Sequence, residues 1–136
     1  MKEQITPYLS FDGNAKQALE FYKEVLGAEV TGVQTFGEAD YPTPPEANDR
    51  VMHAQLKKGN ISLMFSDTFP GQSTVVGNNI TLTLEPESDE EIQHLYDALR
   101  KNGKPLNELE DTFWGAKYAR VQDQFGIIWE LNYQKS

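Results

Sequence analysis

Period-two alternation gives way to helical spacing, and this happens twice along the chain. From Ile5 to Phe11, the residues Ile5, Pro7, Leu9 and Phe11 fall on one side and Thr6, Tyr8 and Ser10 on the other, which predicts a strand with one buried face. Asp12-Gly13-Asn14 then turns the chain. With Asn14 read as the N-cap, Ala18, Leu19, Tyr22, Val25 and Leu26 recur at helical spacing, and Gly27 supplies the stop. Residues 28–36 predict a second strand. Residues 37–49, which carry Pro42, Pro44 and Pro45, predict a loop, and 50–58 and 60–66 a hairpin turning at Gly59.

From Asn78 the pattern begins again. Ile80, Leu82 and Leu84 alternate with Asn79, Thr81 and Thr83; Ser88 with Glu91 three residues on is a capping box; Ile92, Leu95 and Leu99 form a helical stripe that runs out before Gly103. Strands are expected at 105–111, 116–122 and 127–133. A shift of 73 residues carries Thr6, Tyr8 and Ser10 onto Asn79, Thr81 and Thr83, and Leu19, Tyr22 and Leu26 onto Ile92, Leu95 and Leu99. The expectation is a single domain, 1–136, built from a duplicated strand-helix-strand-strand-strand unit: unit one 1–66, a linker or lid at 67–77 containing Pro70, Gly71, Ser73 and Gly77, and unit two 78–136.

A helix laid over each sheet covers one face and leaves the other. By alternation the uncovered face carries Thr6, Tyr8, Ser10, His53, Gln55, Ser62, Met64, Ser66, Asn79, Thr81, Thr83, Tyr118, Arg120, Glu130 and Asn132. Glu130 is the most informative of these. It sits between Trp129 and Leu131, yet an unpaired carboxylate is too costly for an apolar core, so its side of the last strand must be a wet cavity, a metal site or an interface. His53 reads either as a structural histidine or as a proton-transfer group. Trp114, beside Gly115, reads as a pocket wall or a dimer contact, and His94 as solvent-facing. The acidic run Glu85, Glu87, Asp89, Glu90 and Glu91 suits a helix N-terminus and needs no ligand.

Composition narrows the partners. A chain of 136 residues with 38% hydrophobic and 24% charged residues forms one ordinary domain. No run approaches the roughly 18 apolar residues of a membrane span, and Met1-Lys2-Glu3-Gln4 opens no signal-peptide core, so a cytoplasmic protein without membrane partners is expected. The absence of cysteine excludes disulfides and thiolate chemistry. A formal charge of -9 repels phosphate backbones and argues against nucleic acid as a partner.

Several strings also resemble a known family. Pro7-Tyr8-Leu9-Ser10-Phe11, the run from Ala18 to Gly27, Val51-Met52-His53-Ala54, Leu63-Met64-Phe65-Ser66-Asp67, and Phe113 to Tyr118 leading to Asp123 to Glu130 resemble the PhnB-like branch of the vicinal oxygen chelate (glyoxalase/bleomycin resistance/dioxygenase) superfamily. The resemblance implies an α+β fold of two paired βαβββ units, a mixed eight-stranded sheet enclosing a cavity, and a homodimer. Metal-using members place His or Glu on the first and last strand of each unit; those positions here are Thr6, Met64, Asn79 and Glu130, and only Glu130 is a strong ligand type. His53, set opposite Met64 or Ser66 by the hairpin, is the one replacement, so His53 and Glu130 could hold a divalent metal weakly with waters or act without metal as base and orienter. The resemblance thus implies a small-molecule-binding protein with an incomplete metal-ligand set. The alternative is a divalent-metal-dependent lyase, isomerase or dioxygenase using Glu130 and His53. A methyltransferase label given to some members finds no glycine-rich nucleotide-binding turn in this chain.

Overall fold

Each half of the chain starts with a short strand, then packs an amphipathic helix over the sheet that follows. A computed structural model describes residues 1–39 and 43–135, which divide into two units, Met1–Val75 and Val76–Ser136. Pro42 of the expected loop lies outside the described residues.

In the first unit β1 (Tyr8–Phe11), α1 (Ala15–Leu26), β2 (Glu29–Thr35), β3 (Val51–Lys58) and β4 (Ile61–Asp67) form a helix over a four-stranded sheet of order β1-β4-β3-β2. Strands β1 and β4 are parallel, and the other neighbours are antiparallel. The stripe of α1 buries Ala15, Ala18, Leu19, Tyr22, Val25 and Leu26 against Leu9, Phe11, Ala54, Leu56, Leu63 and Phe65 of the strands. Burying a side chain such as Leu56 or Phe65 contributes about 1.5–3 kcal/mol, so this one face supplies most of the unit's cohesion. Gly27 ends α1 in the left-handed region at φ 64°, where glycine alone is unstrained. The described residues around the expected loop include two 3-10 turns, Phe36–Glu38 and Pro45–Ala47, which bury Phe36 and Ala47.

The second unit repeats the layout with β5 (Leu82–Leu84), α2 (Asp89–Arg100), β6 (Lys104–Asp111), β7 (Ala116–Gln122) and β8 (Ile128–Gln134), in the order β5-β8-β7-β6. Ser88 caps α2 by accepting from the Glu91 N–H at 3.0 Å, and the Glu91 side chain accepts from the Glu87 N–H at 2.8 Å. Ile92, Leu95, Tyr96 and Leu99 of α2 are buried, as are Ala119, Val121, Trp129 and Leu131 of the sheet. Gly103, between α2 and β6, is required by close packing. A Cβ there would lie 2.3 Å from the carbonyl oxygen of Gln122.

Five expectations are corrected. The strands form two four-stranded mixed sheets rather than one eight-stranded sheet. The leading strands are short, Tyr8–Phe11 and Leu82–Leu84, and leave Ile5 and Ile80 exposed. Asn14 makes no side-chain cap bond; the Asp67 carboxylate takes that role. Asp67 is accordingly the last residue of β4 rather than the first of a linker. The internal repeat also sits differently on the first strands. Tyr8 lies opposite Met64, which lies opposite Gln55, whereas Thr83 lies opposite Glu130, which lies opposite Arg120. The counterpart of Tyr8 is therefore Thr83, two residues beyond the 73-residue shift. No helix among the described residues is long and apolar enough to cross a membrane.

Candidate functional site

On both sheets the face not covered by its helix is polar, and each face is organised by one row of residues running across the strands. In the first unit the row is Tyr8, Met64, Gln55 and Gly32. His53, one pair along β3 on the same face, lies opposite Gln34. The Tyr8 hydroxyl and His53 Nδ1 are 2.9 Å apart, with ring centroids at 5.7 Å and planes inclined at 50°. This bond fixes the imidazole and leaves Nε2 as the ring nitrogen that Tyr8 does not engage. The Gln55 amide is held at both ends: its Nε2 donates to Ser62 Oγ at 3.2 Å, and its Oε1 accepts from Thr31 Oγ1 at 3.4 Å.

The second unit's row is Thr83, Glu130, Arg120 and Asn107. Tyr118 and Asn132 form the next pair on that face. Arg120 Nη2 donates to Thr81 Oγ1 at 3.1 Å. Tyr118 has its pKa raised, chiefly by burial and then by the charge of Glu130; Arg120 pulls it the other way, and a hydrogen bond to Glu130 again favours the neutral phenol. Glu130 thus shares its face with a phenol donor and a guanidinium, and all three are half-buried.

The remaining candidates lie off these rows. Thr6 precedes β1, and its Oγ1 accepts from the Gln4 side chain at 3.2 Å; Asn79 is exposed ahead of β5. Trp114 occupies the β6–β7 turn, 54% exposed, with Phe113 against it edge-on at 5.0 Å and 89°. The structure therefore brings Tyr8, His53, Gln55 and Met64 together in unit one and Thr81, Tyr118, Arg120 and Glu130 together in unit two.

Two buried acids escaped the sequence reading. One Asp67 oxygen accepts from the N–H groups of Gly13 and Ala15 at 2.9 and 3.0 Å, and the other from the Val51 N–H at 2.9 Å. One Asp123 oxygen accepts from the N–H groups of Phe125 and Ile127 at 2.8 and 3.1 Å, and the other from the Trp129 indole at 2.8 Å. Asp123 follows a strand just before a turn, the position where a short acid bonds nearby backbone; Asp67 ends β4 and bonds backbone far away in sequence. Their full coordination by donors inside the fold marks them as structural.

The donor set does not fit a tightly held metal. Among the described residues no three His, Asp or Glu side chains converge. The first and last strands of each unit place Tyr8 beside Met64 and Thr83 beside Glu130, so one carboxylate is accompanied by a phenol, a thioether and a hydroxyl, whereas zinc and its neighbours in the first transition row want imidazole, thiolate or carboxylate.

Comparison with known proteins bears on the family and the fold. A model of the Glyoxalase/Bleomycin resistance protein/Dioxygenase superfamily matches residues 4–131. Protein YjdN of Escherichia coli K12 is 32% identical over 142 residues, covering 96% of this chain and 95% of its own. The crystal structure of protein PA1353 from Pseudomonas aeruginosa has a TM-score of 0.86 at 34% identity, covering 96% of this chain and 97% of that one. A PhnB protein from Bacillus cereus, described as a putative 3-demethylubiquinone-9 3-methyltransferase, has a TM-score of 0.81 at 23% identity and covers 96% and 99%; at that identity it speaks for the fold alone.

Proposed function

The chain belongs to the Glyoxalase/Bleomycin resistance protein/Dioxygenase superfamily, and from that premise we propose that it binds a small organic molecule on the polar faces of its sheets without a tightly held metal. The observation that carries this reading is the row Thr83, Glu130 and Arg120, a half-buried pair of opposite charges on the face that α2 does not cover. Half-burial of charge costs solvation, and a ligand that hydrogen-bonds both groups offsets it. Met64, Gln55, Tyr8 and His53 supply a neutral polar face in unit one, which Thr6 precedes on the chain; in unit two Asn79 precedes β5 and Trp114 lies in the β6–β7 turn. The homodimer and the cytoplasmic location belong to the same proposal, from superfamily resemblance and from cysteine-free composition respectively.

One observation favours the alternative, a divalent-metal-dependent lyase, isomerase or dioxygenase. Tyr8 holds His53 Nδ1, as an outer partner holds a ligating imidazole. The missing third donor counts against it.

Chemical-shift mapping of the whole labelled chain against a library of small neutral and charged fragments tests the binding reading. Hits are expected to move the amides of β3, β7 and β8 around Gln55, Arg120 and Glu130, and Glu130→Gln is expected to weaken them by about tenfold, the worth of a charged hydrogen bond. Hits that map elsewhere, or that bind Glu130→Gln and His53→Ala unchanged, would remove the assignment.

A further inference from the structure

Arg120 and Glu130 are directly opposed across β7 and β8, so their Cα atoms are about 4.5–5.5 Å apart and their side chains leave the sheet on the same face. Opposite charges so placed ordinarily pair. Here they do not: the ion pairs of this unit among the described residues are Arg100–Asp97, Lys117–Asp89 and Lys135–Asp111. Arg120 turns instead to Thr81, while the charge of Glu130 acts on its face neighbour Tyr118 and favours the neutral phenol. The guanidinium is held by a neutral hydroxyl, and the two charges share one face without forming an ion pair.

A guanidinium has five N–H donors in a rigid fork, and a carboxylate has two oxygens with several acceptor sites. One bond to Thr81 leaves Arg120 with donors for a planar anion, and the Glu130 carboxylate has acceptor capacity for a hydroxyl or an ammonium. We propose that Arg120 and Glu130 form a two-point grip for a small carboxylic acid that also carries a hydroxyl or ammonium donor. Directly opposed strand positions put both heads on one face, so a single small ligand that carries an anion and a donor can engage the two together. The equivalent row of unit one, Tyr8, Met64 and Gln55, is uncharged, so this recognition belongs to unit two. A protein of net charge -9 gains nothing from long-range attraction of an acid, and affinity must come from the short-range fork contact that Arg makes better than Lys.

This inference rests on the binding reading above and is tested with a matched three-carbon set, L-lactate, L-alanine, propionate and 1-propanol, titrated into the intact labelled protein. Lactate or alanine is expected to shift the Arg120 side-chain nitrogens and to bind about tenfold tighter than propionate, with 1-propanol weaker still, because each charged hydrogen bond adds about that much. Whichever of lactate and alanine binds more tightly identifies the donor as hydroxyl or ammonium. Glu130→Gln should reduce the preference over propionate to near unity while sparing propionate itself. Arg120→Met should abolish binding of all three acids, and Arg120→Lys should keep the charge yet lose most of the affinity, which separates the grip from a folding defect. Equal affinities for lactate, alanine and propionate, or a preference that survives in Glu130→Gln, would overturn it. If library fragments map to β7 and β8 while none of the three acids binds, the grip is wrong and the binding reading stands; if nothing binds, both fail.

Discussion

Tyr118 reports on the charges around it, which makes it the residue on which the site's electrostatics can be read. Its pKa is raised first by burial, second by the negative charge of Glu130, and is held back by Arg120. Glu130→Gln removes a charge that disfavours the phenolate, so the Tyr118 pKa should fall towards the ordinary tyrosine value; Arg120→Met removes one that favours it, so the pKa should rise. Tyrosine ring-carbon chemical shifts followed through alkaline pH would register the two opposite movements, and a shift in the same direction for both variants would contradict the arrangement. Stability follows the same sign. A folded-state pKa above the unfolded one gives a contribution that is full below the usual tyrosine pKa and is lost as pH rises through the folded value.

At the scale of elements, one carboxylate joins three of them. Asp67, at the end of β4, accepts from Gly13 and Ala15 at the start of α1 and from Val51 at the start of β3, and it is 4% exposed. Asp67→Asn preserves the shape but turns an acceptor into a donor facing backbone N–H, so at least one buried N–H loses its partner. The expected loss is about 2–4 kcal/mol of unfolding free energy, from the cost of an unsatisfied buried group and a lost charged bond. Urea denaturation measures it, and a loss below roughly 0.5 kcal/mol, the size of an ordinary surface substitution, would remove the clamp. The same contact shows where the sequence was opaque. Asn14 precedes the helix and matches the cap preference, but the acceptor that satisfies α1 comes from a residue 52 positions away, which no local pattern contains. Elements with strong periodicity were legible: β7 spans Ala116–Gln122 as its alternation predicts, and Ser88 caps α2. Register was not. Moving a strand by two residues preserves its faces, so alternation placed Tyr8 and Thr83 on the polar side without revealing that they are counterparts. Glu130 was legible because desolvation made its position improbable for a core residue, while the contact between Arg120 and Thr81 on the same face depended on that register.

For the whole molecule, charge decides how a metal test must be read. The chain carries 21 acidic against 12 basic side chains, so any divalent cation gathers around it and eases its self-repulsion, whether or not a site exists. A specific site behaves differently. An ion at a thousand times its dissociation constant adds about 4 kcal/mol to the folded state, which for a domain of this size is a shift of roughly 10 °C or more in Tm. Diffuse screening saturates with ionic strength and does not distinguish magnesium from transition metals. With no three acidic or imidazole groups converging among the described residues, Mn(II), Co(II), Ni(II) and Zn(II) are expected to raise Tm no further than Mg(II) does at equal ionic strength, and His53→Ala should leave those small shifts unchanged. A stoichiometric ion retained on protein purified without a metal-affinity tag, or a Zn(II) or Ni(II) shift several-fold above that of Mg(II) and lost in His53→Ala, would transfer the weight to the metal-dependent enzyme. His53 would then be a protein donor, and the Tyr8 bond to His53 Nδ1 would be the contact that directs Nε2 to the ion.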